Sequence, residues 1–452
     1  MNAPDDFLSQ ARAHYTGGDL AAAETAYRAA LALAPGRPSI LHNLAVVVAT
    51  RGRHAEALAL FDQALAADPV YASAHYNRGV ALEKLDRPRE AIASLSRAVA
   101  IEPGHYDAHR ALGFLWLGEG NRDRALDHYA RTYELRRGDD RDGSALASLV
   151  YASRSKLQHD AAQLRHVAKT KRDGKRFELL ARAYDVVARD FPEPITRLDD
   201  SQLDMLGHDY NAVIVLGSAP EVTGGTINPA LDAAGISANF REHDCAATWF
   251  DGLLAPAALA SLQRYLLEST IWHDFSHIGG FVASYLEDGL ACPLVLQIAD
   301  DLRRALPEIL GPHPLTQAWA FKGLEGSSAV AAHADDAAVS VNFWVTPDAA
   351  NLDPAAGGLR ICRAPPPPGW EMSGYHADIA EILAFMQRHA DASLVVPYGE
   401  NRAAIFQSRL FHASDAPSFA PGYANHRINV TLLYGRATYA QIDTLPPPAH
   451  LI

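Results

Sequence analysis

Small and apolar residues recur along the first 139 residues with one fixed long period. Ala23, Ala57, Ala91 and Ala125 stand 34 residues apart, and so do Pro35, Pro69 and Pro103. Large apolar residues keep step at Tyr27, Phe61, Leu95 and Tyr129, and small ones at Ala11, Ala45, Gly79 and Gly113. Ala30, Ala64 and Ala98 complete the set, which fades in the fourth unit at Thr132 and Arg137. A period of this length belongs to stacked supersecondary units, none of which buries its apolar face alone. The spacing predicts two helices per unit. Small residues sit where the paired helices approach, and the aromatic fills the gap between units. The proline ends the second helix, because it supplies no backbone donor and clashes with the preceding turn.

From about residue 140 to 205 the pattern stays helical, as in FELLARAYDVVARDF, but the long period is lost. This stretch is expected to cap the repeats and connect them to the C-terminal half of the chain. Its basic run Lys169, Lys171, Arg172, Lys175 and Arg176, around Asp173-Gly174, reads as a solvated turn between two helices. After about residue 210, short β-branched and aromatic runs take over. NAVIVLG, LTQAWAFKG, AVSVNFWVT, GGLRICR, SLVVPY, RAAIFQS and RINVTLLYG predict strands. PAALASLQRYLLES and PLVLQIADDLRRAL predict helices. The expected fold is multidomain: an all-α solenoid, then a double-sheet barrel of jelly-roll type with flanking helices.

The N-terminal pattern resembles the tetratricopeptide repeat, over about residues 4 to 139. Solenoids of this kind present a concave face made by the first helix of each pair, and mostly bind peptides. Asn43 and Asn77 hold the same place in consecutive units, where an amide can pair with a ligand's backbone through both its ends. Ser9 and Ala111 occupy the equivalent places elsewhere, so a peptide ladder and two solvent-facing amides are both open. His42, Tyr76, Arg110 and Phe114 share that face.

Composition narrows the classes. The formal net charge of −13 argues against a nucleic-acid-binding surface as the main business. No apolar run approaches the roughly 18 residues of a membrane-span candidate. The opening MNAPDDFLSQ carries no secretion signal. Cys245, Cys292 and Cys362 lie far apart without metal-ligand spacing, and read as reduced thiols of a cytoplasmic protein.

Candidate chemistry therefore falls to histidines and carboxylates. His-x-Asp occurs at His105/Asp107, His333/Asp335, His376/Asp378 and His389/Asp391, and among 20 histidines the tripeptide alone decides nothing. His105 opens a repeat unit, and the last two pairs bracket a helical segment. Residues two apart point away from each other on a helix but to one face on a strand. Only His333/Asp335 adjoins strand-like sequence, and Asp336 would face the other way. A third ligand should come from another strand, and His412 fits, with Arg427 fifteen residues later. Two imidazoles and one carboxylate leave three positions open on a six-coordinate metal, the arrangement of non-haem iron oxygenases; zinc or another first-row metal could use the same set.

At these residues the sequence resembles the 2-oxoglutarate/iron(II) dioxygenase superfamily, in its prolyl-hydroxylase-like branch, over roughly residues 240 to 437. The resemblance rests on H-A-D at 333, VSVNFWVT, the Gly357-Gly358-Leu359 turn, NRAAIFQSRLFHAS and R-I-N at 427. It implies iron(II) held by His333, Asp335 and His412, and 2-oxoglutarate gripped by Arg427. Asn429 departs from the Ser often found two places after the Arg, but can still contact the co-substrate. Members decarboxylate 2-oxoglutarate to succinate and usually hydroxylate an unactivated carbon. Trp319, Lys322 and Asn342 are placed near the entrance. The stretch between Gly358 and Tyr398 is long enough to form a lip, with a stiff Pro365–Pro368 run and with Trp370 and Tyr375 open to stacking on substrate.

The domains are expected at residues 1–139 (about four repeats), 140–209 (helical connector) and 210–452 (oxygenase). The expected function is a dioxygenase that hydroxylates a protein or peptide side chain recruited by the repeats, since tethering raises effective concentration. Two alternatives stand beside it. One is a small-molecule or amino-acid oxygenase that uses the repeats only for assembly; the other is a scaffold that binds 2-oxoglutarate without turnover.

Overall fold

The computed structural model describes residues 4–138, 149–276, 280–324, 326–327, 329–367 and 379–436. The chain forms two compact units, divided between Trp116 and Leu117.

The first unit is built from α1 (Pro4–Thr16), α2 (Leu20–Leu33), α3 (Pro38–Thr50), α4 (His54–Ala67), α5 (Ala72–Lys84), α6 (Pro88–Ile101) and most of α7 (Tyr106–Gly118). Each second helix ends two residues before a periodic proline, with one residue between them. Ala34, Asp68 and Glu102 there leave helical geometry, with φ of −135°, −141° and −126°, as the ring of a following proline demands. Within each pair the turn needs one left-handed residue. Gly18 and Gly52 supply it at φ +80°, and Asp86 takes the same place at φ +55°. The periodic small residues have a steric cause: a Cβ added at Gly79 would stand 2.6 Å from Leu95 Cγ. The periodic Ala and aromatic positions are buried, Ala23, Ala57 and Ala91 fully so.

The second unit opens with α8 (Arg122–Arg137), the second helix of the fourth repeat. Where the periodic pattern fades, the side chains serve this unit. Tyr133 Oη donates to the Thr270 carbonyl at 3.1 Å, Arg136 pairs with Asp288 at 3.2 Å and Arg137 donates to the Asn211 carbonyl at 3.3 Å. A two-residue ladder comes next, β1 (Tyr151–Ala152) on β2 (Thr196–Arg197), enclosing α9 (Arg154–Ala168) and α10 (Gly174–Asp190). These helices share a core of Leu157, Ala161, Leu164, Phe177, Ala181 and Tyr184. They also dock on the sheet region: Gln163 Nε2 donates to the Ser269 carbonyl (2.8 Å) and to Tyr423 Oη (2.9 Å). In the basic turn, Lys171 reaches Glu268 at 2.6 Å.

The segment NAVIVLG is not a strand. The amides of Ile214 and Val215 bond the Thr270 hydroxyl, each at 3.0 Å, so a side chain takes the role of a neighbouring strand. Further helices are α11 (Asp200–Leu206), α12 (Ala233–Arg241), α13 (Pro256–Glu268), α14 (Pro293–Ala305), α15 (Pro307–Leu310) and α16 (Ile379–Arg388). Helices α13 and α14 realise the two predicted segments. No helix among the described residues is long and apolar enough to cross a membrane.

Two antiparallel sheets make the rest. The larger runs β3 (Ala247–Phe250), β9 (Ala403–Gln407), β6 (Val339–Trp344), β11 (Ile428–Tyr434), β5 (Leu315–Gly323), β4 (Phe281–Tyr285) in spatial order. The smaller runs β10 (His412–Ser414), β7 (Leu359–Cys362), β8 (Ser393–Val396). Central β6 and β11 are buried along their whole length because both faces are covered. One face meets helices, where Tyr434 Oη donates to the Ala299 carbonyl of α14 at 2.8 Å. The other meets the small sheet in a core of Ala247, Trp344, Ala404 and Phe406 with Leu359, Ile361 and Val396.

Candidate metal centre and anion pocket

Alternation along the strands selects what enters the space between the sheets. On β6 the register places Ser340, Asn342 and Trp344 on one face, beside Leu433, Thr431 and Asn429 of β11. Trp344 belongs to the inter-sheet core, so this face and Arg427, one step beyond β11, look inward. His412 of β10 is cross-strand partner to Ile361, another inter-sheet residue.

His333 lies just before β6 and is joined to His412 by an antiparallel backbone bridge. Two residues on, the Asp335 amide bonds the Ser408 carbonyl at 2.9 Å, which holds the His-Ala-Asp stretch extended. Asp335 is buried while Asp336 is exposed. One ligand atom from each of His333, Asp335 and His412 lies within 4.8 Å of the others, and this is the only such cluster among the described residues. His333 Nε2 stands 3.7 Å from Asp335 Oδ1, and His412 Nε2 stands 3.7 Å from Asp335 Oδ2.

The tautomers follow from the backbone. His333 Nδ1 is 2.8 Å from the Ala331 carbonyl and His412 Nδ1 is 3.0 Å from the Leu410 carbonyl. A carbonyl only accepts, so both Nδ1 atoms carry the proton and both Nε2 lone pairs face the carboxylate. Burial, with His333 beside it, pushes the His412 imidazole down to about 4 and keeps it neutral at physiological pH. Two imidazoles and a carboxylate, oriented by their outer bonds, fit a divalent first-row cation.

Arg427 is 3 % exposed. Its Nε donates to the Gly357 carbonyl at 2.8 Å, Nη1 lies 3.4 Å from Asn429 Oδ1, and Cζ sits 5.8 Å from the Trp344 ring centre. Burial pushes the guanidinium down to about 10, which still leaves it charged at neutral pH. No carboxylate among the described residues forms an ion pair with it. The buried indole Nε1 of Trp344 and Oδ1 of Asn342, both on the inter-sheet face, also have no hydrogen-bond partner among the described residues. A buried charge with no protein counter-ion is costly, and the fork geometry of an arginine suits a carboxylate. The surroundings of the guanidinium therefore fit an anion.

Of the residues placed near the entrance, Asn342 and Trp319 do share the inward face. Trp319 is cross-strand partner to Thr431 and packs edge-on against Tyr285. Lys322 is not there. Three residues from Trp319, it falls on the opposite face by strand alternation. It is fully buried on the helix side, with Nζ over the Tyr423 ring and 5.8 Å from the Trp272 ring.

The other described His-x-Asp pairs stay local. His105 stacks on Tyr76, Asp107 pairs loosely with Arg110, and His389 Nδ1 bonds the Phe385 carbonyl. His376, Asp378, Trp370, Tyr375 and Pro368 lie outside the described residues. In the repeats, Asn43 and Asn77 are joined through one ring: His42 Nδ1 is 3.0 Å from Asn43 Oδ1, and Asn77 Nδ2 is 2.9 Å from His42 Nε2. Sequence reasoning missed Ser340, whose hydroxyl donates to Asp335, and Ser408, whose hydroxyl bonds that of Ser340. The only signal was a polar residue at alternate places in the apolar run Val339–Trp344.

A tetratricopeptide-repeat family model matches residues 8–72, 51–104 and 76–140, and the N-terminal helices are tetratricopeptide repeats. Among similar solved structures is MamA of Desulfovibrio magneticus RS-1, 25% identical over 30% of this chain and 78% of that one, with a TM-score of 0.29. The O-GlcNAc transferase of Thermobaculum terrenum is 31% identical over 29% of this chain and 26% of that one, with a TM-score of 0.27. The first tetratricopeptide domain of Spaghetti, bound to an HSP90 peptide, is 20% identical over 26% of this chain and 93% of that one, with a TM-score of 0.26. No curated protein matches the chain.

Proposed function

We propose that the second unit is an iron(II)- and 2-oxoglutarate-dependent dioxygenase, its two sheets the leaves of a double-stranded β-helix, and that it hydroxylates a polypeptide side chain. The observation that carries the reading is the convergence of His333, Asp335 and His412 within 4.8 Å. The buried Arg427, with no ion-pairing carboxylate among the described residues, adds the co-substrate: its fork takes the distal carboxylate of 2-oxoglutarate, and Asn429 beside it supplies a further contact. Iron(II) bound to the triad would supply the coordination sites where a 2-oxo acid and dioxygen are activated toward a C–H bond. The chain's own part is to aim both imidazoles through their Nδ1 bonds to backbone carbonyls, to keep His412 neutral by burial, and to exclude water from the anion through the inter-sheet core.

A polypeptide substrate is favoured over a small molecule because the same chain carries tetratricopeptide repeats. The amides of Asn43 and Asn77, each held at one end by His42, keep further hydrogen-bonding capacity for an extended backbone. The test is incubation of the full chain with iron(II), 2-oxoglutarate, air and a cell lysate, following succinate release and peptides heavier by one oxygen atom. Both signals should vanish in Asp335→Asn. Succinate release that ignores added polypeptide would favour the small-molecule reading, and tight binding of 2-oxoglutarate with no succinate under any condition would favour a scaffold.

A further inference from the structure

The carboxylate of Asp335 is held by more than its place in the chain. Its Oδ2 accepts from Ser340 Oγ at 2.7 Å, and Ser340 Oγ stands 2.8 Å from Ser408 Oγ. Ser340 and Ser408 are both fully buried, and Asp335 is 1 % exposed. An ionised carboxylate only accepts, so the single proton of Ser340 is spent on it, and Ser408 must donate to Ser340. The Ser408 carbonyl also accepts from the Asp335 amide at 2.9 Å. Ser408 thus holds the backbone of Asp335 directly and its side chain through Ser340. Oδ2 also faces His412 Nε2 at 3.7 Å, but the bond from Ser340 occupies one of its lone pairs, whereas Oδ1, 3.7 Å from His333 Nε2, keeps both.

We propose that Ser340, backed by Ser408, is a positioning residue that keeps Asp335 a one-oxygen ligand through Oδ1. The proposal rests on the metal-binding reading of the same triad. It has a consequence for the reaction: a two-oxygen carboxylate would occupy one of the three positions that a 2-oxo acid and dioxygen need. Ser340 touches neither metal nor co-substrate, and acts through the carboxylate.

The test uses the full chain and cobalt(II) alone as probe, since its visible absorption reports coordination number and needs no turnover. Ser340→Ala should weaken cobalt(II) binding by ~10- to 100-fold, the range for loss of a bond behind a metal ligand, and should shift the absorption bands. Ser340→Thr, which keeps the hydroxyl, should restore both. Ser408→Ala should weaken binding by a smaller factor, and decides the matter if Ser340→Ala does not fold. Wild-type affinity and an unshifted spectrum in the alanine variants, beside a wild-type chain that binds cobalt(II), would overturn this proposal and leave the metal reading intact. A wild-type chain that binds no cobalt(II) overturns both.

Discussion

His333 and His412 are bonded to each other through their backbones in both directions, His333 N–H to His412 C=O at 3.0 Å and the reverse at 2.8 Å. Their rings lie 4.3 Å apart between centroids. Residues 79 positions apart in the chain are thus locked as cross-strand neighbours, so their imidazoles emerge side by side. Asp335, two residues from His333, closes the triangle.

Removing one corner should abolish metal retention without unfolding the sheet. His412→Ala is expected to lower iron(II) or cobalt(II) affinity by more than ~100-fold, beyond the loss typical for an outer bond. Equilibrium titration of the purified chain, alongside its melting temperature, measures both. Undiminished metal affinity in the variant would remove His412 from the site.

Arg427→Ala should leave metal affinity near wild type and weaken 2-oxoglutarate binding. Loss of a charge-assisted pair of hydrogen bonds costs about 1.5–3 kcal/mol, or roughly 10- to 100-fold in Kd. Arg427→Lys recovers only part, because an ammonium lacks the two-pronged geometry. Calorimetric titration with the metal present distinguishes this from a purely structural ion, for which 2-oxoglutarate would bind equally to all three proteins.

In the repeats, Gly79→Val places its first carbon 2.6 Å from Leu95 Cγ. Overpacking of this kind costs about 1–3 kcal/mol. Paired with Leu95→Ala, the clash disappears, so the double variant should be less destabilised than the sum of the singles. Urea unfolding of the four proteins gives the coupling; strict additivity would mean that the helices simply move apart.

Glu24 is held by Arg53, Arg28 and Arg51, and these bonds lower its carboxyl to about 2 from 4.5. A depressed carboxylate stabilises the fold above its unfolded pKa, and the benefit is lost as pH falls from 4.5 toward 2. The arginines are partly exposed and screened by solvent, so the contribution is about 2 kcal/mol rather than the full shift. Glu24→Gln should therefore melt lower than wild type at pH 7, with the gap closing below pH 4.5. A gap that persists at pH 2 would show that the loss is one of packing.

Lys322 carries the opposite sign. Its Nζ has no hydrogen-bond partner among the described residues, and burial drives its pKa well below 10.5. A lowered lysine destabilises the fold at neutral pH, and the penalty shrinks as pH rises toward 10.5. Lys322→Met, similar in length and apolar, is expected to raise the melting temperature at pH 7, by an amount that diminishes toward pH 10. A lower melting temperature at every pH would mean that the amine over Tyr423 contributes more than it costs.

The sequence by itself determined the repeats. Each helix pair is specified by neighbours within about 34 residues, so proline, alanine and aromatic positions recur visibly, and the left-handed place at Gly18, Gly52 and Asp86 recurs with them. It also carried most strands, whose alternation survives in β5 but is hidden in β6 and β11, where both faces are buried. It could single out His333 and Asp335 by strand alternation, but it could group them with His412 and Arg427 only as an expectation, because the four lie far apart in the chain. Tertiary structure alone decided which of the described His-x-Asp pairs has a third partner. It also decided that NAVIVLG bonds a threonine instead of a strand, and that Lys322 faces away from the inter-sheet side. Ser340 and Ser408 meet at Asp335 only because β6 and β9 are adjacent in the sheet. Long-range pairing sets that register, and it is invisible to any reading confined to neighbours along the chain.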